Sequence, residues 1–254
     1  MKLDDVKKLH QKKYRNQLGY YIVEGEHLIL ELVKAAKLEK DSAAGAVYPL
    51  KASQLYVTEE YQEWANQLNS GFRILMVSRK QVAQLSDTKT PQGILAAVPL
   101  PSKSLVSNSG DAERCIYLHE VQDPGNLGTI LRTLAWFGNF RLLLSPNSVD
   151  PFNSKVVRSS MGAIFHVPME LDVELADLGS RFDKFAYLDM NGAAVNSPEF
   201  SDFPCYLFGN EARGVPREAL TGFNATAFTI PGSGAIESLN LASAVNMSVY
   251  QLSI

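Results

Sequence analysis

The spacing of apolar residues changes repeatedly along this chain, and each change marks an element. At the start, Leu3, Val6 and Leu9 recur at helical spacing and predict one helix with a basic face over the first fifteen residues. YYIVEG (20–25), QLYVT (54–58), FRILMV (72–77) and ILAAVPL (94–100) read as strands. Between them, residues 26–40, EEYQEWANQL (59–68) and SRKQVAQL (78–85) read as helices. This alternation predicts a small α/β/α domain over residues 1–100. Pro99, Pro101 and the polar run SKSLVSNSGDAE then break the pattern, predicting a linker at 101–113.

Residues 114–254 have a different texture. CIYLHEV, FRLLLS, AIFHVP, KFAYLDM, CYLFGN and TAFTI are almost continuously apolar. Helical segments at 127–137 and 173–182 fall among them, and a last helix spans 239–252. Strands apolar on both faces and alternating with helices predict a parallel sheet covered on both sides.

Composition narrows the class. With 46% hydrophobic and 20% charged positions in 254 residues, the chain is expected to fold into one large or two modest domains. No apolar run reaches the roughly 18 residues of a membrane span, and the charged N-terminus is unlike a signal peptide, so a soluble cytoplasmic protein is expected. Cys115 and Cys205 each open an apolar run and read as buried hydrophobes in a reducing compartment. The net charge of −3 is uneven: residues 1–100 carry 14 Lys and Arg against 11 Asp and Glu, the remainder 10 against 16. Lys7, Lys8, Lys12, Lys13 and Arg15 concentrate the surplus. Such a face is either simply solvated or a contact for a phosphate backbone.

Three glycine-containing loops follow predicted strands in the second half: DPGNLGTILRT, GNEARGVPRE and PGSGAIESLN. In a parallel sheet such loops share the crevice beyond the carboxyl ends of the strands. No GxGxxG occurs, and Gly209 to Gly214 is followed by Val215 and Pro216 where a phosphate-binding loop needs Lys and Ser or Thr. The polar set on these loops includes Asn126, Arg132, Asn210, Glu211, Arg213, Ser238 and Asn240. Simpler roles remain open for them: a helix cap for Asn126, an Arg132–Glu211 ion pair, and a helix cap for Ser238. His119 and His166 sit in apolar runs without a metal-ligand spacing and read as core histidines, so no metal site is expected.

DPGNLGTILRTLAWFG, KVVRSSMGAIFHVP, LFGNEARGVP and IPGSGAIESLNLASAVNMSVY resemble, in order and spacing, the motifs of the SpoU (TrmH-like) RNA 2′-O-ribose methyltransferases of the SPOUT superfamily. YIVEGEHLILEL and TPQGILAAV resemble the ribosomal-protein-like substrate-binding domain that many members carry. The resemblance implies a parallel-sheet α/β domain with a deep C-terminal trefoil knot, an exception to the unknotted-chain rule. It implies S-adenosyl-L-methionine as cofactor, against main-chain groups at Leu207, Gly209, Ile230, Pro231 and Leu239, where glycine permits close approach. It assigns Arg132 to the target phosphate and to deprotonation of the 2′-hydroxyl, Asn126 and Ser238 to positioning, Glu211 to orienting Asn126 and Arg132, and Asn240 to fixing the last loop.

Gly232 departs from the family pattern, which has a bulky apolar residue after the proline. The implied partners are RNA, of the large ribosomal subunit rather than tRNA, and a second copy of the chain along Leu241, Val245, Val249 and Leu252. A tRNA ribose methyltransferase and a non-catalytic RNA-binding or assembly factor are the alternatives.

Overall fold

The computed structural model describes residues 1–38, 49–101 and 113–254. Its elements run α1 (Leu3–Lys8), α2 (Lys12–Leu18), β1 (Tyr20–Glu24), α3 (Glu26–Leu38), β2 (Gln54–Val57), α4 (Glu59–Gln67), β3 (Arg73–Met76), α5 (Arg79–Leu85) and β4 (Ile94–Pro99). They continue with β5 (Arg114–Leu118), α6 (Pro124–Phe137), β6 (Phe140–Leu144), α7 (Ser154–Ser159), β7 (Met169–Glu170), α8 (Leu175–Arg181) and β8 (Phe185–Ala194). β9 (Cys205–Phe208), α9 (Arg217–Leu220), β10 (Ala225–Thr229) and α10 (Leu241–Ser253) complete the series. The chain forms two compact units, Met1–Leu105 with Asp150–His166, and Val106–Val149 with Val167–Ile254. Most of the expected linker lies outside the described residues.

The first unit is built on a mixed sheet in the order β1-β4-β2-β3, with β2 and β3 parallel and the other pairs antiparallel. Val6 and Leu9 are buried in a core with Ile22, Tyr56, Val77, Val82, Leu85, Leu95 and Ala97. The expected single N-terminal helix is instead two. The chain breaks after Leu9, and Arg15 fills the break: its Nη1 donates to the carbonyl oxygens of Leu9 at 2.8 Å and His10 at 3.0 Å. Arg15 is 4% exposed and pairs with Asp150. This corrects its expected place among the surface cations, because its charge is spent inside the unit.

Residues 150–166 belong with this first unit although their sequence neighbours belong with the second. Phe152 stacks at a tilt on Tyr21, 4.9 Å between centroids, and Ser154 and Arg158 both contact Asp87. The apolar spacing does not predict α7. Asn153 caps it, accepting from the N–H groups of Lys155 and Val156 at 2.9 and 3.0 Å. AIFHVP is not a strand. Met161 and Gly162 have φ of 52° and 95°, which turns the chain into a short 3-10 helix at Ala163–Phe165, and the apolar residues are buried there as a turn.

The second unit carries a six-stranded parallel sheet in the order β10-β8-β9-β5-β6-β7. Its edge strand after β6 is Met169–Glu170, paired with Leu142 and Leu143. β8 extends past its expected end, and its register with β10 shifts beside Gly192, where a Cβ would lie 2.5 Å from the Ala227 carbonyl. The two cysteines face each other across β5 and β9 and are buried, and burial pushes the Cys115 thiol up to about 11. No described helix is long and apolar enough to cross a membrane.

Candidate active site

A parallel sheet sends the carboxyl ends of all its strands to one edge, so the loops after β5, β9 and β10 leave the second unit on the same side. Glu211, just after β9, ties two of these loops together. Its carboxylate accepts from the N–H groups of Gln122 at 3.0 Å and Asp123 at 3.1 Å and from Asn126 Nδ2 at 3.2 Å. Asn126 Oδ1 accepts in turn from Asn240 Nδ2 at 2.9 Å, bringing in the loop that precedes α10. Three segments distant in sequence are thus joined by one line of side chains.

Burial alone would push the Glu211 carboxyl up. Hydrogen bonds from the N–H groups of Asp123, Glu211 itself and Gln122, and from Asn126, outweigh it and hold the group below the usual glutamate range. An ionised Glu211 is purely an acceptor, which fixes the Asn126 amide with its nitrogen toward Glu211 and its oxygen toward Asn240.

The helix caps are not the expected ones. Asp123 caps α6, accepting from the Asn126 N–H at 2.7 Å, with Pro124 at the first helical position. Asn240 caps α10 through Ser243 N–H at 3.2 Å. Asn126 and Ser238 are therefore free of capping roles. Arg132, for which an ion pair with Glu211 was the simpler role, is exposed on α6 and makes no ion pair among the described residues. Its guanidinium is available to an outside anion.

Gly209 has a structural reason of its own. A Cβ there would lie 2.2 Å from the Gly214 carbonyl carbon, because residues 210 and 214 form a tight bridge. The packing of this loop therefore requires glycine at 209 whatever else the residue contacts. Leu207 is fully buried, Ile230 half-buried, and Pro231 and Leu239 are exposed. Residues 231–240 are all exposed. The main chain of 231–239 makes no backbone–backbone hydrogen bonds among the described residues. Apart from the Ala235 N–H, which donates to Ser233 Oγ at 3.4 Å, its main-chain groups are open to a ligand held by main chain.

Glu120 and Gln122, which sequence reasoning did not single out, complete the geometry together with Asn210 and Arg213. Glu120 has φ of 51°, and its carbonyl accepts from Asn210 Nδ2 at 2.6 Å and Gln122 Nε2 at 2.9 Å, while its carboxylate pairs with Arg213. Asn210, 6% exposed, also accepts from the N–H groups of Ala212 and Arg213 and so shapes the loop carrying Glu211. The sequence clue was the polar run HEVQD directly after an apolar strand. Among the described residues no cluster of three His, Cys, Asp or Glu could hold a metal.

The stripe Leu241, Val245, Val249 and Leu252 is not a free seam. Val245 and Val249 are fully buried and Leu252 nearly so, with α10 packed on α6 and Thr133 bonded to Asn246 at 2.7 Å. Trp136, Met247, Tyr250 and Ile254 are the exposed apolar residues of these two helices and the C-terminus.

The second unit is thus a parallel α/β fold whose strand-end loops are joined through the Asn126 amide, with Arg132 exposed on the helix that follows β5. The chain belongs to the SpoU rRNA methylase family, whose model matches residues 113–250. Residues 2–96 match the MRM3-like substrate binding domain. The chain is 30% identical to the 23S rRNA (guanosine(2553)-2'-O)-methyltransferase RlmP of Bacillus subtilis (strain 168), over 99% of this chain and 95% of that one. A TrmH-family protein from Porphyromonas gingivalis is 26% identical with a TM-score of 0.79, covering 98% of this chain and 96% of its own. The SpoU methyltransferase AviRb from Streptomyces viridochromogenes, solved with AdoMet, shares the fold at 21% identity and a TM-score of 0.79, covering 99% and 96%.

Proposed function

We propose that this protein transfers a methyl group from S-adenosylmethionine to a ribose 2′-hydroxyl of large-subunit ribosomal RNA. The observation that carries the reading is the Glu211–Asn126–Asn240 line with Arg132 left unpaired beside it in sequence on α6. Family membership and the relative's 23S rRNA activity support the same substrate class.

When bound, S-adenosylmethionine supplies a methyl group already activated on a cationic sulfur, so the protein's task is alignment and management of one proton. Leu207, Gly209, Ile230, Pro231 and Leu239 would hold it, with main-chain groups of 231–239 as donors and acceptors. The 2′-hydroxyl proton would pass to solvent as the methyl carbon is given up and the neutral thioether is left. A guanidinium has no lone pair to accept a proton and is a poor base. Arg132 instead grips the adjacent phosphate and, with Asn126 and Ser238, stabilises the developing alkoxide. This reading includes the trefoil knot, formed by the segment leading into α10.

Lys7, Lys8, Lys12 and Lys13, all exposed, are assigned to RNA phosphates; Tyr14 lies 6.0 Å from Lys8 Nζ and 5.8 Å from Lys13 Nζ. A homodimer is assigned to the outward residues Trp136, Met247 and Tyr250 rather than to the buried stripe.

Mass-spectrometric mapping of ribose methylation in ribosomal RNA, with and without the protein, tests the activity. One site gaining a methyl group only when the protein is present is expected; identical maps sink the reading. Light scattering at micromolar concentration tests assembly. A dimer that Trp136→Glu dissociates is expected, and a wild-type monomer rejects that part.

A further inference from the structure

The first unit contains a cavity of about 220 Å³ lined by Glu60, Arg79, Val82, Pro91, Gln92 and Gly93. That is below the 300 to 1,000 Å³ of whole-ligand sites, so it has room for one flat ring and not for a cofactor. It lies within the part of the chain that matches a substrate binding domain.

Its side chains are placed by the fold. Gln92 Oε1 accepts from the Glu26 N–H at 3.0 Å, which pins the amide over the start of α3 and leaves Nε2 as a donor with no acceptor among the described residues. Gly93 has φ of 89°, and a Cβ there would meet Thr58 Oγ1 at 2.7 Å and the Tyr61 ring at 3.2 Å, so this wall stays bare. Thr58 Oγ1 is itself buried with no hydrogen-bond partner. Across from these, Arg79 and Glu60 form an ion pair whose side chains are 77% and 54% exposed. An open pair of this kind adds little to stability, so the fold does not require it and a ligand can exchange it. Pro91 and Val82 supply apolar surface for a ring.

We infer that this cavity reads one unstacked base of the substrate RNA, Gln92 Nε2 donating to a ring carbonyl, Glu60 accepting from a ring amine, and Arg79 turning to the neighbouring phosphate. Single-stranded RNA is read through such splayed bases, and a carboxylate accepting from an exocyclic amine is a base-edge contact. The set selects a base with an exocyclic amine on the opposite side of a ring nitrogen from a carbonyl, as cytosine and guanine have. Uracil's only donor is the ring N–H between its carbonyls, and adenine has no carbonyl.

This inference deepens the proposed function, and its test is separable from methyl transfer. Full-length wild type, Glu60→Gln and Gln92→Glu are titrated with fluorescent decamers of cytidine and of uridine at fixed salt. Gln92→Glu keeps an oxygen for the Glu26 N–H, so α3 retains its partner. Wild type should prefer the cytidine decamer by about ten- to a hundredfold, and each variant should remove most of that ratio. The ratio is insensitive to a uniform electrostatic loss. An equal ratio in all three proteins, or no preference in wild type, overturns the base site, whether or not ribosomal RNA is methylated. A preference that tracks Glu60 and Gln92 in a protein that methylates nothing keeps the site and rejects the enzymatic reading.

Discussion

Asn240 Nδ2 donates to Asn126 Oδ1 across 2.9 Å, although the two residues are 114 positions apart. Asn126 passes the constraint to Glu211, and Asn240 also caps α10. One amide therefore sets the mutual position of three strand-end loops. Replacing Glu211 with Gln leaves one oxygen for Asp123 and Asn126 but sets an N–H donor against the Gln122 N–H, which shifts the loop from its place. Turnover should fall about a hundredfold, the scale of a misplacement near 1 Å, with the thermal midpoint less affected. Single-turnover methyl transfer checks this, and unchanged turnover removes Glu211 from the site.

The same carboxylate sets a pH expectation. Its folded pKa is depressed, so the stability it contributes is fully present above its unfolded value and is lost only as pH falls through the lower folded value. Between pH 5 and 9 Glu211 stays ionised. A kcat/KM profile should therefore show no limb from this group in that range, and an acid limb near pH 6 that disappears in Glu211→Gln refutes the assignment.

Arg132 is exposed and unpaired among the described residues, so its removal leaves no buried charge behind. Arg132→Ala should keep its thermal midpoint and its affinity for S-adenosylmethionine while turnover drops by about two to four orders of magnitude. Lys should rescue poorly, since a point charge does not reproduce the planar fork. A variant that binds cofactor and turns over normally makes Arg132 an ordinary surface cation.

The parallel sheet was legible because its strands are apolar on both faces, and Glu211, Asn126 and Asn240 were legible because short motifs hold them. What failed depended on contacts distant in sequence or on a local turn of the backbone. Arg15 looked like one more surface cation until Asp150, 135 positions on, took its charge. AIFHVP had a strand's composition, but Met161 and Gly162 turn the chain just before it. The stripe on α10 was real, and periodicity alone does not say whether α6 or a second copy covers it.

Gly232 has no positive φ, and nothing lies within 4 Å of where its Cβ would be. A larger side chain is thus tolerated at the rim of the assigned cofactor place. Gly232→Leu should tighten S-adenosylmethionine binding several-fold by burying apolar surface, without changing the methylated nucleotide. Calorimetry reads the affinity; weaker binding means that residue 232 does not face the ligand.

The cations of the first unit divide into two groups with opposite signatures. Arg15 is buried and paired, so Arg15→Ala strands Asp150 and two carbonyl oxygens and should cost about 3 to 5 kcal/mol of stability. Lys7, Lys8, Lys12 and Lys13 are exposed, and replacing them with Gln should leave stability nearly unchanged. For RNA binding the order reverses. Each lysine that touches a phosphate contributes about 0.7 to the slope of log affinity against log salt on a single strand, so the quadruple variant should flatten that slope by up to about 3. An Arg15→Lys protein, measured where it is still folded, should keep the wild-type slope. If Arg15→Lys flattens the slope and the quadruple variant does not, RNA reaches the unit through Arg15's side and the lysines are a solvated face.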